Sequence, residues 1–178
     1  PVGRLDKDTT GLLLLTDDGG LAHRLLSPKS HVDKVYLAQV EGRVDEGDRA
    51  ALAAGLALAD GTACLPAGLE PIGDGSRCLV TLQEGKYHQV KRMLAARGKP
   101  VLTLHRLRMG PLTLDEGLKP GKWRFLTPRE RAERRQALGC GPDDLLLVYP
   151  AEFSRRKNQP LLLRALAKAL PDLPAGPT

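Results

Sequence analysis

Apolar and polar residues alternate along this chain in short blocks. Residues 12–15 are four consecutive leucines, bracketed by Gly11 and by Thr16-Asp17-Asp18-Gly19. The run is too apolar for a surface loop and too short for a typical helix, which favours a short buried strand over a buried helical turn. Leu21, Ala22, Leu25 and Leu26 then recur at helical spacing, with Asp17 or Asp18 as cap and Pro28 as stop. Residues 34–42 alternate and end in glycine, the pattern of a strand. Val44 and Asp45 open a helix that runs through Leu52 and closes at Gly55. The Gly- and Pro-rich stretch 60–74 predicts turns with short strands, and residues 77–83 predict a further strand. Val90, Met93 and Leu94 mark a helix ended by Gly98, and residues 101–110 read as a basic strand. Residues 112–114 and 123–126 are short apolar pieces flanking a Pro120-Gly121 turn.

The last quarter changes character. Thr127-Pro128-Arg129-Glu130 forms a capping box with proline at the first helical position, opening a helix through Ala137 and Leu138 to Gly139. Residues 145–149 read as an apolar strand, 154–158 as a basic turn and 161–170 as a Leu/Ala helix. That is the first half of a βαβ unit. The expected class is α+β: a mixed, mainly antiparallel sheet with flanking helices over 1–128, a linker helix at 129–139, and a separate small α/β appendage at 140–178.

Composition sharpens this picture. The 178 residues suffice for one domain and a fragment of a second, and 42% apolar with 3% aromatic content requires a core of Leu, Val and Ala. The net charge of +6 suits a polyanionic partner. Its distribution says more. Residues 84–108 hold seven basic side chains against one acid, whereas residues 41–74 hold seven acids against two arginines. Such neighbouring bands predict either a directional footprint for a polyanion or two ordinary solvated faces. Cys64, Cys78 and Cys140 lack metal-type spacing and read as core or free thiols of a reducing compartment. With no signal peptide or membrane-length apolar run in view, a cytoplasmic protein without membrane attachment is expected.

The loop before the leucine run carries the candidate chemistry. Three readings of residues 3–11 compete. In the first it is a turn in which Asp and Thr side chains bond nearby backbone N–H groups. In the second, Asp6, Asp8, Thr10 and Gly11 begin a calcium loop. That reading fails because Leu14 and Leu15 fall at the ninth and tenth positions, Asp17 stands where a bidentate Glu is needed, and no entering helix precedes it. In the third, a loop pinned to a buried strand holds a reactive side chain rigidly.

A resemblance bears on that choice. Gly3-Arg4-Leu5-Asp6, then Thr9-Thr10-Gly11, the four leucines and Thr16, resembles the catalytic motif of pseudouridine synthases. The likeness is to the RsuA-like branch acting on ribosomal RNA, which includes RsuA, RluB, RluE and RluF. It implies that Asp6 is the catalytic residue. Lys34-x-Tyr36 resembles the family's second motif, whose tyrosine packs against the target base; on periodicity alone Tyr36 is a core residue. Residues 85–93 resemble the third motif, in which the basic residue after His-Gln-Val, here Lys91, pairs with the catalytic aspartate. Read without the resemblance, this segment is a surface amphipathic helix. Leu118, Gly121, Trp123, Arg124, Leu126 and Thr127 match the family's closing strands, so the likeness extends from about Gly3 to Glu130.

The resemblance implies isomerisation of uridine to pseudouridine in structured RNA, ribosomal RNA above all, by a monomer needing neither metal nor organic cofactor. Asp6 would act as nucleophile or general base, supported by Arg4, Tyr36 and Lys91. Arg4 would brace the loop or enter the space of the displaced base. Lys86, His88, Gln89, Arg92, Arg106 and Arg108 are the expected RNA-binding residues. Because Pro1 stands two residues before the motif, an N-terminally truncated catalytic domain is expected. The tail resembles a fragment of the donor-binding half of GT-B glycosyltransferases, group 1/family 4. Lys157 and Asn158 match that pattern, while Pro150 and Glu152 stand where Gly and Arg are expected, which argues against phosphate binding; with no acceptor domain, no glycosyl transfer is expected. The alternatives are an inactive RNA-binding fragment, or a sugar-nucleotide-binding fragment acting through the tail.

Overall fold

The computed structural model describes residues 1–16, 19–127 and 146–151. The elements in chain order are β1 (Thr9–Thr16), α1 (Gly19–Leu26), a 3-10 turn at Pro28–Ser30, β2 (Lys34–Val40), α2 (Glu46–Ala54), β3 (Leu56–Ala57) and β4 (Ala63–Cys64). There follow β5 (Gly68–Ile72), β6 (Arg77–Leu82), α3 (Gln89–Ala96), β7 (Val101–Met109), β8 (Leu112–Thr113), β9 (Arg124–Phe125) and β10 (Leu146–Ala151).

The leucine run is the interior of β1, and all four leucines are buried. A strand buries both faces when it sits inside a sheet with both layers covered. β1 has such a position: β7 pairs with it in parallel on one edge and β10 antiparallel on the other. The sheet runs β5-β6-β2-β7-β1-β10-β9, with β8 paired to β7, and every other ladder in it is antiparallel. The mixed, mainly antiparallel sheet with flanking helices is therefore present. Two apolar clusters fill it. One joins β2, β5, β6, α2 and α3 around Leu52, Val80, Met93 and Leu94; the other gathers Val2, Leu12, Leu14, Leu25 and Met109.

Local signals explain the helices. Asp45 and Asp48 close a reciprocal capping box at the start of α2, and Gly55 ends it at a φ of 82°. Gly98, at a φ of 70°, turns the chain out of α3, and the Gly98 and Lys99 N–H groups donate to the Ala95 and Leu94 carbonyls. Cys64 and Cys78 are buried free thiols.

The structure differs from expectation in the placement of the tail strand. The tail strand, at Leu146–Ala151, is built into the main sheet between β1 and β9 instead of standing in a separate unit. A β-branched and leucine-rich segment satisfies its backbone best on an open strand edge, and β1 offers one. Of the pieces flanking the Pro120-Gly121 turn, β8 joins β7 and β9 joins β10. The short strand expected within residues 60–74 is β4, which forms a small hairpin with β3. The expected cap at Asp17 or Asp18, the linker helix, the 154–158 turn and the 161–170 helix lie outside the described residues.

Candidate active site

Gly11 sets the geometry of the catalytic loop. Its φ is +104°, and a Cβ there would stand 2.3 Å from the Arg106 carbonyl oxygen. Only glycine lets β1 approach β7 so closely. Across that contact the Arg106 Nε donates to the Leu12 carbonyl at 2.7 Å, and the Thr10 hydroxyl pairs with the His105 ring at 2.6 Å. Burial lowers the His105 pKa. The loop entering β1 is closed by a Thr9 N–H to Asp6 carbonyl bond at 3.0 Å. Asp6 is thereby held just ahead of a rigid strand.

α3 brings the opposing cation. The Lys91 Nζ lies 3.5 Å from Asp6 Oδ2 and also bonds Asp8 Oδ1. Both side chains of the Lys91–Asp6 pair are largely buried, at 20% and 24% exposure, so the contact is poorly screened by water. The Lys91 hydrogen bond holds the Asp8 carboxyl below its ordinary value. His88, in the left-handed region at a φ of 47°, turns its Nε2 to within 3.6 Å of Asp6 Oδ1. Lys91 and His88 thus flank the two carboxylate oxygens.

Glu84 holds this arrangement, and no local signal in the sequence marks it. The buried carboxylate accepts from Gln89 Nε2 at 2.6 Å and from the Leu65 N–H at 2.8 Å, and it pairs with Lys86 at 3.3 Å. Gln89 in turn accepts from the Lys86 N–H at 2.9 Å. This latch fixes the turn from which α3 presents His88 and Lys91.

A cleft opens over Asp6. Its narrow inner part, about 70 Å³, is lined by Asp6, Thr9, Tyr36, His88 and Leu104. A wider outer part, about 460 Å³, is bordered by Arg4, Lys34, Lys86 and Tyr87. Tyr36 is half-buried, neither sealed in the core nor free. The β2–β7 register shifts between Val35 and Tyr36, and such an irregularity re-aims side chains beside a site. The Arg106 guanidinium lies 6.0 Å from the Tyr36 ring centroid. Lys34, also buried, donates to the Val32 and Gln83 carbonyls at 3.1 and 3.5 Å. Its pKa is lowered by burial and further by the neighbouring Arg106.

The expected RNA-binding residues divide. Lys86 and His88 border the cleft, and Arg4, exposed at its mouth, has no ion-pair partner among the described residues. Arg106 does not reach a polyanion: it is 2% exposed, and its role is internal, between Leu12 and Tyr36. Gln89 is buried in the Glu84 latch. Arg92 pairs with Asp60, and Arg108 pairs with Asp33 at 3.8 Å. Arg97 reaches the buried Asp48 at 3.0 Å. The basic band and the acidic band therefore meet each other at Arg92–Asp60 and Arg97–Asp48, so part of the basic charge is paired within the protein. No helix among the described residues is long and apolar enough to cross a membrane.

The chain is similar to known proteins. The family described as RNA pseudouridylate synthase matches residues 1–96. The chain is 48% identical over 131 residues to the ribosomal small subunit pseudouridine synthase A of Vibrio cholerae, and 51% identical over 130 residues to that of Pseudomonas aeruginosa. It is 47% identical over 133 residues to an uncharacterized RNA pseudouridine synthase of Bacillus subtilis. These matches cover 72–73% of this chain and 56% of each relative, so the chain spans about half the length of the curated relatives it matches. A crystal structure of a pseudouridylate synthase superimposes with a TM-score of 0.70 at 47% identity, over 74% of this chain and 57% of that one.

Proposed function

The chain belongs to the RNA pseudouridylate synthase family, and from this we propose that it isomerises a uridine of ribosomal RNA, of the small subunit by likeness to its relatives, to pseudouridine. In this reaction the N1–C1′ bond breaks, the uracil turns, and C5 bonds to C1′. N1 gains a proton and C5 loses one, so atoms balance without redox change or hydrolysis. Asp6 acts at the ribose as nucleophile or general base. Lys91 pairs with that carboxylate and fixes its rotamer. The uracil ring stacks against Tyr36 in the narrow inner cleft, which it reaches only after leaving its own stack, at a cost of about a few kcal/mol. Arg4 fills the opening left in the RNA or contacts its backbone. A ribosomal substrate implies a cytoplasmic enzyme.

The single observation that carries this reading is the meeting of Asp6 and Lys91, from two distant motifs, over a cleft walled by Tyr36. Asp6→Asn tests it. The variant keeps its thermal melting point and its affinity for unmodified small-subunit ribosomal RNA, and it forms no pseudouridine. Isomerisation by purified Asp6→Asn protein would overturn the assignment.

A further inference from the structure

Only six residues of this chain are aromatic, and one of them, Tyr87, is 75% exposed. An exposed large aromatic in a turn held this firmly calls for a reason. Tyr87 stands between Lys86 and His88, in the segment fixed by the Glu84–Gln89 latch. Its ring stacks on the His88 imidazole, centroids 3.9 Å apart and planes 16° from parallel. One face of the ring is thus occupied, and the orientation of the ring is set before any partner arrives. The other face is left to solvent.

Tyr87 also sits on a divide. On one side is the outer cleft that leads to Asp6. On the other is a hollow of about 520 Å³ walled by Leu58, Ala59, Ala95 and Ala96, with the Arg92–Asp60 pair at its edge. The hollow is apolar, shallow and continuous with the ring. It does not resemble a phosphate site, because the cation at its edge is already paired. A flat apolar floor beside an ordered aromatic suits the face of a nucleobase.

We infer that Tyr87, backed by His88, is a second stacking platform, which takes a nucleobase adjacent to the target uridine and seats it over the 58–96 hollow. The inference rests on the proposed function and deepens it. Tyr36 holds the target inside the cleft, while Tyr87 holds a neighbour outside it. A nucleotide whose base is drawn into the cleft leaves its neighbours unstacked, and an exposed ring 16° from parallel with its support replaces the lost stacking partner. The platform accepts any base by its π-face, so it sets affinity and the splayed geometry of the strand more than sequence.

The test compares the wild-type chain, Tyr87→Phe and Tyr87→Ala in two measurements. The first uses a single-stranded RNA pentamer carrying 2-aminopurine next to a central uridine, whose fluorescence falls when the base stacks. The second is pseudouridine formation on unmodified small-subunit ribosomal RNA, with KM and kcat measured separately. Wild type and Tyr87→Phe quench the probe; Tyr87→Ala does not, and its KM rises about five- to a hundredfold, the range for one lost base–aromatic stack, with the loss falling on KM and not on kcat. Equal quenching and equal KM for Tyr87→Ala overturn the platform. A fall confined to kcat also overturns it, since the ring would then act through His88 on Asp6. Tyr87-dependent quenching by a wild-type chain that forms no pseudouridine would sustain the platform and remove the proposed activity.

Discussion

The Lys91 ammonium is shared between Asp6, 3.5 Å from its Nζ, and Asp8, the second carboxylate of the same loop. One cation on α3 therefore clamps two carboxylates of the catalytic loop. A charge-assisted contact of this kind is worth about 1.5–3 kcal/mol, and losing it leaves Asp6 free to rotate. Lys91→Gln is expected to lower pseudouridine formation by about ten- to a hundredfold, while Lys91→Arg retains most of it. Equal rates for Lys91→Gln and wild type on the same RNA would remove the clamp from the mechanism.

Asp8 gives the loop a pH dependence. Its carboxyl sits below the ordinary value, chiefly through the Lys91 hydrogen bond. A depressed pKa in the folded state contributes stability that is present above the unfolded value and lost as pH falls through the folded one. The side chain is mostly exposed, so the contribution is small. Between about pH 5 and pH 3 the wild type is expected to lose more of its urea midpoint than Asp8→Asn does. Parallel curves for the two proteins would show that Lys91 gives Asp8 no folding advantage.

Glu84 is the next place to intervene. Its removal in Glu84→Ala takes the acceptor from the Leu65 N–H and leaves the buried Gln89 amide without its carboxylate partner. An unsatisfied buried donor of this kind costs about 1–3 kcal/mol. Chemical denaturation should show that loss, and activity should fall with it because His88 and Lys91 are presented from this turn. Glu84→Gln, which keeps an acceptor for one donor, should lie between. Wild-type stability in Glu84→Ala would mean that the latch positions nothing.

Gly11→Ala is expected to be the most damaging single methyl. The φ of +104° disfavours any side chain, and the Cβ would meet the Arg106 backbone, which cannot swing away as a side chain can. A loss of at least about 3 kcal/mol is expected, read as a lower thermal midpoint or failure to accumulate as folded protein. An unaltered melt would mean that β1 and β7 can separate without consequence.

Much of this protein is determined locally. Four leucines between glycine and Thr16 dictate a buried strand; Asp45, Asp48 and Gly55 dictate the bounds of α2; Gly98 dictates the end of α3. These signals act over one or two turns, so no knowledge of distant neighbours is needed to read them. The motifs around Asp6, Tyr36 and Lys91 were legible as a resemblance, and their convergence followed from it.

What only the tertiary structure decided is which long-range neighbour each charged group meets. Arg106 and Arg108 look alike in the sequence, two residues apart on one strand. Arg106 falls opposite Gly11, where the missing side chain lets the two backbones close, and its Nε bonds the Leu12 carbonyl, while Arg108 pairs with Asp33. The same holds for Arg92 and Arg97, whose acidic partners Asp60 and Asp48 come from the preceding segment. It holds for the tail strand, whose leucines announce a strand without saying that β1 is its partner. Periodicity reports which face of an element is apolar. Pairing across a sheet depends on loop closure and register over the whole chain, and no local window contains that information.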